Sequence, residues 1–380
     1  MYEDLPPVRG DAALRHCRRR IGPGRDAGVV AETNGLITRG VKARFNEGEK
    51  RFFMMESKLF ASFNARESTE TLPQLCISLL TSQQNSWPQL IDGYTALKTV
   101  RVRDIRCNGY SVLLQFNPQR IVSSGADVGP DSIRRRRCFL CLKNLPAEQK
   151  GVLYKNEFLV LCNPAPILDR HYTIAHVRHT PQQIAGFVRA FLEFAKDLSP
   201  TFTVFYNGPK CGASAPDHMH FQAGPTGAIP IEIESGIGSR RQARRTLDDV
   251  SVYCLNGLGR QVIVLEGEGV DNVESVVRRL IASMKTVIGI SEEPMLNALC
   301  SYANGSWRLI VFPRRRHRPD VYFKEGDDKV LISPASMDLG GLVVTPVEKD
   351  FNTVDAPMIE AIFNEVSLDK NRVDRILDAL

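Results

Sequence analysis

Apolar positions along the chain switch between helical spacing and strict alternation, and the switches outline an α+β protein. Leu72 to Trp87 carries helical spacing. Thr99 to Arg106 and Tyr110 to Phe116 then alternate on either side of Asn108-Gly109, a two-residue hairpin signal. Short apolar strands follow at Phe158 to Leu161 and Tyr172 to Val177, separated by a loop with Pro164 and Pro166. Thr180-Pro181-Gln182-Gln183 combines an N-cap, a proline at the first helical position and a capping-box glutamine. It predicts a helix whose stripe is Ile184, Phe187, Val188, Phe191, Ala195 and Leu198, ended by Ser199-Pro200.

The alternation resumes at Phe202 to Tyr206, breaks for the Gly/Pro/Ser loop 207–216, and returns at His218 to Gln222. An Arg-rich link from Gly236 to Arg245 leads to a second block of the same kind. That block has a strand at Gln261 to Leu265 and a helix from Asp271 with Val273, Val276, Val277, Leu280, Ile281 and Met284 on one face. A hairpin at Asn304-Gly305 then leads into the strand Trp307 to Phe312. The expected organisation is a basic, disordered or mis-called extension at 1–53, an N-terminal cap with a hairpin at 54–130, a first half at 131–245 and a second, similar half at 246–380.

Composition narrows this picture only a little. The chain has 380 residues, 43% of them hydrophobic and 24% charged, ordinary values for a globular protein. No run reaches the roughly 18 to 20 apolar residues of a membrane span, and the N-terminus lacks a signal-peptide core, so a cytoplasmic protein is expected. The net charge is +6, with much of the arginine excess in three runs rather than along one stripe interleaved with aromatics. Specific nucleic-acid binding is therefore not expected, whereas small phosphorylated ligands fit. Nine cysteines, an odd number, argue against a secreted disulfide framework and single out Cys138-x-x-Cys141.

Candidate chemistry concentrates where five of the seven histidines fall, between His171 and His220. In a strand, His218, His220 and Gln222 share one face while Met219 and Phe221 enter the core. Taken alone, a His-x-His pair is common on surface hairpins. The preceding loop changes the weighting, since consecutive backbone N–H groups around Gly212 to Ser214 can hold an anion. A Cys-x-x-Cys chelate with nearby histidines is a tetrahedral metal pattern, completed here by Cys138, Cys141, His179 and His218. That leaves His220 free to attack phosphorus, with Gln222, Ser214 and Lys210 at the phosphate oxygens. Of the runs Arg134 to Arg137 and Arg314 to Arg316, the second ends a predicted strand, and Arg314 is the candidate to reach a second phosphate.

Asn163-Pro-x-Pro166, His171, His179-Thr-Pro, Asn207-Gly with its loop, and His218-x-His220-x-Gln222 stand in the order and spacing of the histidine-triad superfamily. Cys138-x-x-Cys141 and a final Gln in place of a third His resemble its transferase branch. That branch holds galactose-1-phosphate uridylyltransferase, diadenosine tetraphosphate phosphorylase and GDP-sugar phosphorylases. Gln115-Phe-Asn-Pro-x-Arg120, leading to the cysteine pair, is similar to an uncharacterised bacterial family of this branch.

The resemblance implies an antiparallel sheet flanked by helices, in two halves, and a nucleotidyltransferase or phosphorylase with His220 as nucleophile. It implies Gln222 and Ser214 at the phosphate, Asn163 at the ribose, Asn207 and Gly212 in the loop, His171 lining the site, and structural zinc on the four ligands. Expected partners are a nucleotide or nucleotide-sugar and an acceptor, phosphate or a sugar phosphate; a homodimer is compatible with the sequence. Two departures from the uridylyltransferases are Asp217 in place of proline and a loop one position out of register at Ala213-Ser214. The alternatives are a zinc-stabilised nucleotide- or RNA-binding module without turnover, or a nucleotide hydrolase.

Overall fold

The computed structural model describes residues 54–380, so the expected 1–53 extension lies outside the described residues. Fourteen strands are assigned, β1 (Leu59–Phe63), β2 (Arg101–Arg106), β3 (Ser111–Phe116), β4 (Gly151–Tyr154), β5 (Phe158–Cys162), β6 (Tyr172–His176) and β7 (Phe202–Asn207) in the first part of the chain. They continue with β8 (His220–Pro225), β9 (Arg241–Leu247), β10 (Val250–Leu255), β11 (Ile263–Gly267), β12 (Leu296–Ala303), β13 (Ser306–Pro313) and β14 (Leu342–Thr345). Eleven of them form one sheet in the order β1-β4-β5-β6-β8-β7-β12-β13-β11-β10-β9.

That order contains a repeat. β4-β5-β6 is followed by the helix Val188–Asp197 and then β7 and β8, with β8 inserted between β6 and β7. β9-β10-β11, the helix Val270–Ile288, β12 and β13 repeat the arrangement, with β13 between β11 and β12. The halves meet where β7 pairs antiparallel with β12, Asn207 opposite Asn297. The architecture is thus α+β with two similar halves on a sheet that is antiparallel apart from the edge pair β1 and β4.

Strand alternation sorts residues to the two faces. Val204, Tyr206, Met219, Phe221 and Ala223 pack beneath the helices, with Val188, Phe191 and Val276 from the helical side. On the opposite face Leu159, Leu161 and Ala175 gather under Cys138, Leu140 and Leu145. Phe205, Leu299 and Ile310 gather under a separate layer from Val112, Met337 and Ile362. The site lies between these two coverings.

Several elements differ from the sequence expectation. The 180–183 capping box does not form: Thr180 gives its carbonyl to Met219 N–H, and Gln182 turns inward to the start of β8. Glu293 receives Ile184 N–H instead, and the α-helix begins at Val188. β8 begins at His220 rather than His218, because His218 N–H closes a turn on Ala215. The 236–245 link includes part of β9, an edge strand. Nor does the 54–130 segment stand apart: β1 pairs with β4, and β3 runs parallel to β14. Among the described residues no helix is long and apolar enough to cross a membrane.

Candidate active site

β6, β8 and β7 form the floor of a cavity of about 560 Å³. In the ladder Thr173 lies opposite Gln222 and Ala175 opposite His220, so these side chains rise from the face left open between the two coverings. Thr173, Asn163, Asn207, Gly212, Ser214, His220 and Gln222 all line the cavity.

His220 is held from both sides. Its N–H donates to Gln182 Oε1 at 2.8 Å, and Gln182 Nε2 donates to the carbonyls of His220 and Asn207 at 3.0 and 2.9 Å. The ring's Nδ1–H donates to the His218 carbonyl at 2.8 Å, which leaves Nε2 without its proton. Burial pushes His220 down to about 4, so the ring is neutral near pH 7.

His171 lies beneath this group, fully enclosed. Its Nδ1 accepts from Ile167 N–H at 3.3 Å, so Nε2–H donates to Gln222 Oε1 at 2.8 Å. Gln222 then turns its NH2 toward the cavity. Burial pushes His171 down to about 3, the nearby Arg120 charge adding to the effect.

The 207–216 loop is shaped by contacts with the second half. Asn297 Nδ2 donates to Asn207 Oδ1 at 2.8 Å and to the Cys211 carbonyl at 2.7 Å. Asn207 Oδ1 also accepts from Ser336 N–H at 2.8 Å. Gly212 has φ +95°, and a Cβ there would lie 2.6 Å from the Ala335 Cβ. Only glycine fits that conformation and approach. Arg136 Nη2 reaches the Ser214 carbonyl at 3.4 Å. With two of the carbonyls turned to these partners, the N–H groups of Gly212, Ala213 and Ser214 find none among the described residues. Three successive unspent amides at a cavity wall form an anion nest.

Beside the cavity, Cys138, Cys141, His179 and His218 bring their four ligand atoms within 4.8 Å of one another, a group that could hold a metal ion. Cys138 Sγ lies 3.2 Å from His218 Nδ1, and Cys141 Sγ 3.2 Å from His179 Nδ1. His218 Nε2–H donates to the His176 carbonyl at 2.7 Å, which fixes the tautomer that presents Nδ1 to the group. Asp217 stands 3.8 Å from His179 Nε2 and pairs with Arg136 at 2.6 Å.

Three sequence candidates do not line the cavity: His171, expected to line it, is fully buried beneath Gln222, and Lys210 and Arg314 stand outside. Lys210 pairs with Glu292 at the surface. Arg314 is enclosed, its guanidinium donating to Asn297 Oδ1 and to the carbonyls of Val366, Pro334, Arg316 and His317. Conversely, Arg120 and Arg318 line the cavity without having been weighed for the site, and Arg136 and His317 line it although the sequence ranks them below Arg314. The Gln115-to-Arg120 motif marked the first. Nothing in the pattern distinguished Arg136 from its neighbours in the arginine run, or Gln182 from an ordinary first-turn helix residue.

Residues 79–225 match the model of a domain of unknown function, DUF4922, and residues 239–379 match the model described as GDPGP1-like, C-terminal domain. No curated protein matches the chain. Among solved structures, yeast Ap4A phosphorylase Apa2 in complex with Ap4A aligns with a TM-score of 0.50 and 14% identity, over 79% of this chain and 98% of that one. The same yeast protein without that ligand named aligns at 0.50 and 13%, over 74% and 96%. The described residues therefore carry the fold of that phosphorylase, an α+β arrangement in two halves on one large sheet.

Proposed function

We propose that the protein is a nucleotidyltransferase working through a covalent nucleotidyl-His220. The donor is a nucleoside-diphosphate sugar or dinucleoside polyphosphate, and the acceptor is phosphate or a sugar phosphate. One observation carries this reading: the bare Nε2 of His220 shares a cavity with the three unspent amides of Gly212 to Ser214. A neutral imidazole with its other nitrogen tied to a carbonyl is a nucleophile. The amides supply charge stabilisation where phosphoryl oxygens would lie.

In the first step Nε2 bonds to the α-phosphorus while the bridging P–O bond breaks, its electron pair leaving with the departing sugar phosphate or nucleoside polyphosphate. An acceptor oxygen then attacks the same phosphorus, and the N–P pair returns to Nε2. The Gln222 NH2 and the Ser214 hydroxyl donate to the non-bridging oxygens, joined by Arg136, whose Nη1 is buried without a protein partner. Asn163 serves the ribose side. The yeast relative is by name a phosphorylase of Ap4A, in keeping with this chemistry.

The metal group is read as a closed, structural zinc site on Cys138, Cys141, His179 and His218. Zinc bonds of about 2.3 Å to sulfur and 2.0–2.1 Å to nitrogen place tetrahedral ligand atoms roughly 3.3–3.8 Å apart. The sulfur–nitrogen separations of 3.2 and 3.7 Å are close to that range. When bound, the ion supplies a crosslink between the cysteine turn, the loop after β6 and the approach to β8. A cytoplasmic setting agrees with the eight cysteines of the described residues, all of them free.

The test is intact-mass spectrometry after incubation with UDP-sugars, GDP-sugars and dinucleoside polyphosphates. An acid-labile nucleotide adduct is expected, absent in His220→Ala. If no donor in the panel gives an adduct or phosphorolysis, the reading falls and a nucleotide-binding module without turnover replaces it. Turnover that water supports as well as phosphate does would indicate a hydrolase instead.

A further inference from the structure

The cavity extends beyond the phosphate loop to an end built from both halves, where the chain gathers positive charge that the transfer step does not use. Arg120, from the turn after β3, donates one N–H, Nη1, to the Ala165 carbonyl at 2.9 Å. Its Nε and Nη2 have no partner among the described residues. Arg318, from the segment after β13, is held by Ser333 Oγ and the carbonyls of Ser124 and Ala126, with Nη1 left over. His317 makes no side-chain hydrogen bond with the described residues. The Ser336 hydroxyl is fully buried and unpartnered. All four line the cavity.

Two carboxylates share this end, and both are committed. Asp338 accepts from Ala335 N–H at 2.8 Å and Val344 N–H at 3.0 Å. Asp127 accepts from Gly129 N–H at 2.9 Å and from the Ser132 hydroxyl. Asp338 attracts Arg120 and Asp127 attracts Arg318, in both cases without a direct ion pair, so the free guanidinium N–H groups stay unbonded. Unspent guanidinium N–H groups and a buried hydroxyl lining one cavity offer the donors that a tetrahedral oxyanion requires.

We infer that Arg120, Arg318 and Ser336 form a second anion subsite, adjoining the 212–214 amide nest, that binds free inorganic phosphate as the incoming acceptor. The inference rests on the transferase reading, because it is the nucleotidyl-His220 that such a phosphate would attack. It adds a claim that reading does not contain: the acceptor has its own site, assembled from the 118–120 turn and the 316–336 segment and formed before any nucleotide is attached. The attacking oxygen bonds to phosphorus as the N–P bond breaks, and the phosphate's other oxygens remain on the arginines.

Isothermal titration of the full-length resting protein with inorganic phosphate tests this, alongside titrations with AMP, GMP and UMP. Arg120→Gln is expected to weaken inorganic phosphate at least tenfold while changing the tightest monophosphate less than twofold. Ser336→Ala removes one hydroxyl and no anchor, should weaken phosphate about threefold or more, and decides the question if Arg120→Gln misfolds. Phosphate binding that neither substitution changes overturns the subsite, even where the His220 adduct forms. Arg120-dependent phosphate binding in a protein that never forms the adduct would keep the subsite and remove the transferase reading. Equal loss of phosphate and monophosphate in both variants would place all anions on one site and overturn the inference.

Discussion

His171 Nε2 stands 2.8 Å from Gln222 Oε1, and this contact decides which end of the glutamine faces the cavity. Because Ile167 N–H occupies Nδ1, the imidazole has only a donor to offer, and the amide must present its oxygen inward and its NH2 outward. Gln222→Glu replaces that outward donor by an acceptor and places a carboxylate beside the phosphoryl oxygens. Loss of one preorganised donor costs roughly 10²–10³ in rate. Quench-flow measurement of adduct formation should show a fall of at least that size. His171→Ala, which frees the amide to rotate, should show a smaller one of about tenfold.

The Cys/His group ties three pieces of chain together, so its loss should register in stability before chemistry. Cys138→Ser should lower the bound metal, measured by plasma mass spectrometry, from about one equivalent to well below half. The melting temperature should fall by about 5 °C or more, as expected for a few kcal/mol in a domain of this size. Asp217→Asn keeps all four ligands but weakens the contact to His179, and should weaken metal binding about 10–100-fold. Full metal retention in both variants would remove the group from consideration as a metal site.

Arg314 is a keystone of the seam between halves rather than a ligand for substrate. Its donors go to Asn297 Oδ1 and four carbonyls, and Asn297 in turn holds Asn207 and Cys211. Lysine has one compact head and would leave several of these acceptors buried and bare, a cost of about 3–5 kcal/mol. Urea unfolding of Arg314→Lys should show a loss of that order. A near-neutral result would mean that water replaces the guanidinium.

Asp338 makes stability depend on pH in a direction opposite to most carboxylates. Burial raises it to about 6 from an ordinary 3.8. Between those values the folded state holds a proton that the unfolded state has released, so the contribution is greatest below about pH 3.8 and is lost as pH rises through 6. The difference in unfolding free energy between the wild type and Asp338→Asn should therefore shift against the wild type by up to about 3 kcal/mol from pH 4 to pH 7. A pH-independent difference would contradict the assignment.

The hydrophobic pattern disclosed the repeat of strands and helix, and the spacing from Asn163 to Gln222 picked out residues that the fold brings to one cavity. These are local signals, carried by strand period and by loop residues adjacent in sequence. What stayed hidden was set by distant partners. Gln182 reads as a first-turn helix residue until β8 competes for its amide, and Arg314 reads as a phosphate-reaching arginine until Val366 and Pro334 enclose it. β9 escaped notice because an edge strand of arginines has no buried face to alternate with.

The pairing of Asn207 with Asn297 has a consequence for how ligands reach His220. The cavity floor belongs to one half and much of its far wall to the other, yet four consecutive residue pairs of a single backbone ladder join them. Jaws hinged at such a seam would have to unzip the sheet to open. Access to the cavity is therefore set by the loops and side chains at its rim, not by the two halves swinging apart.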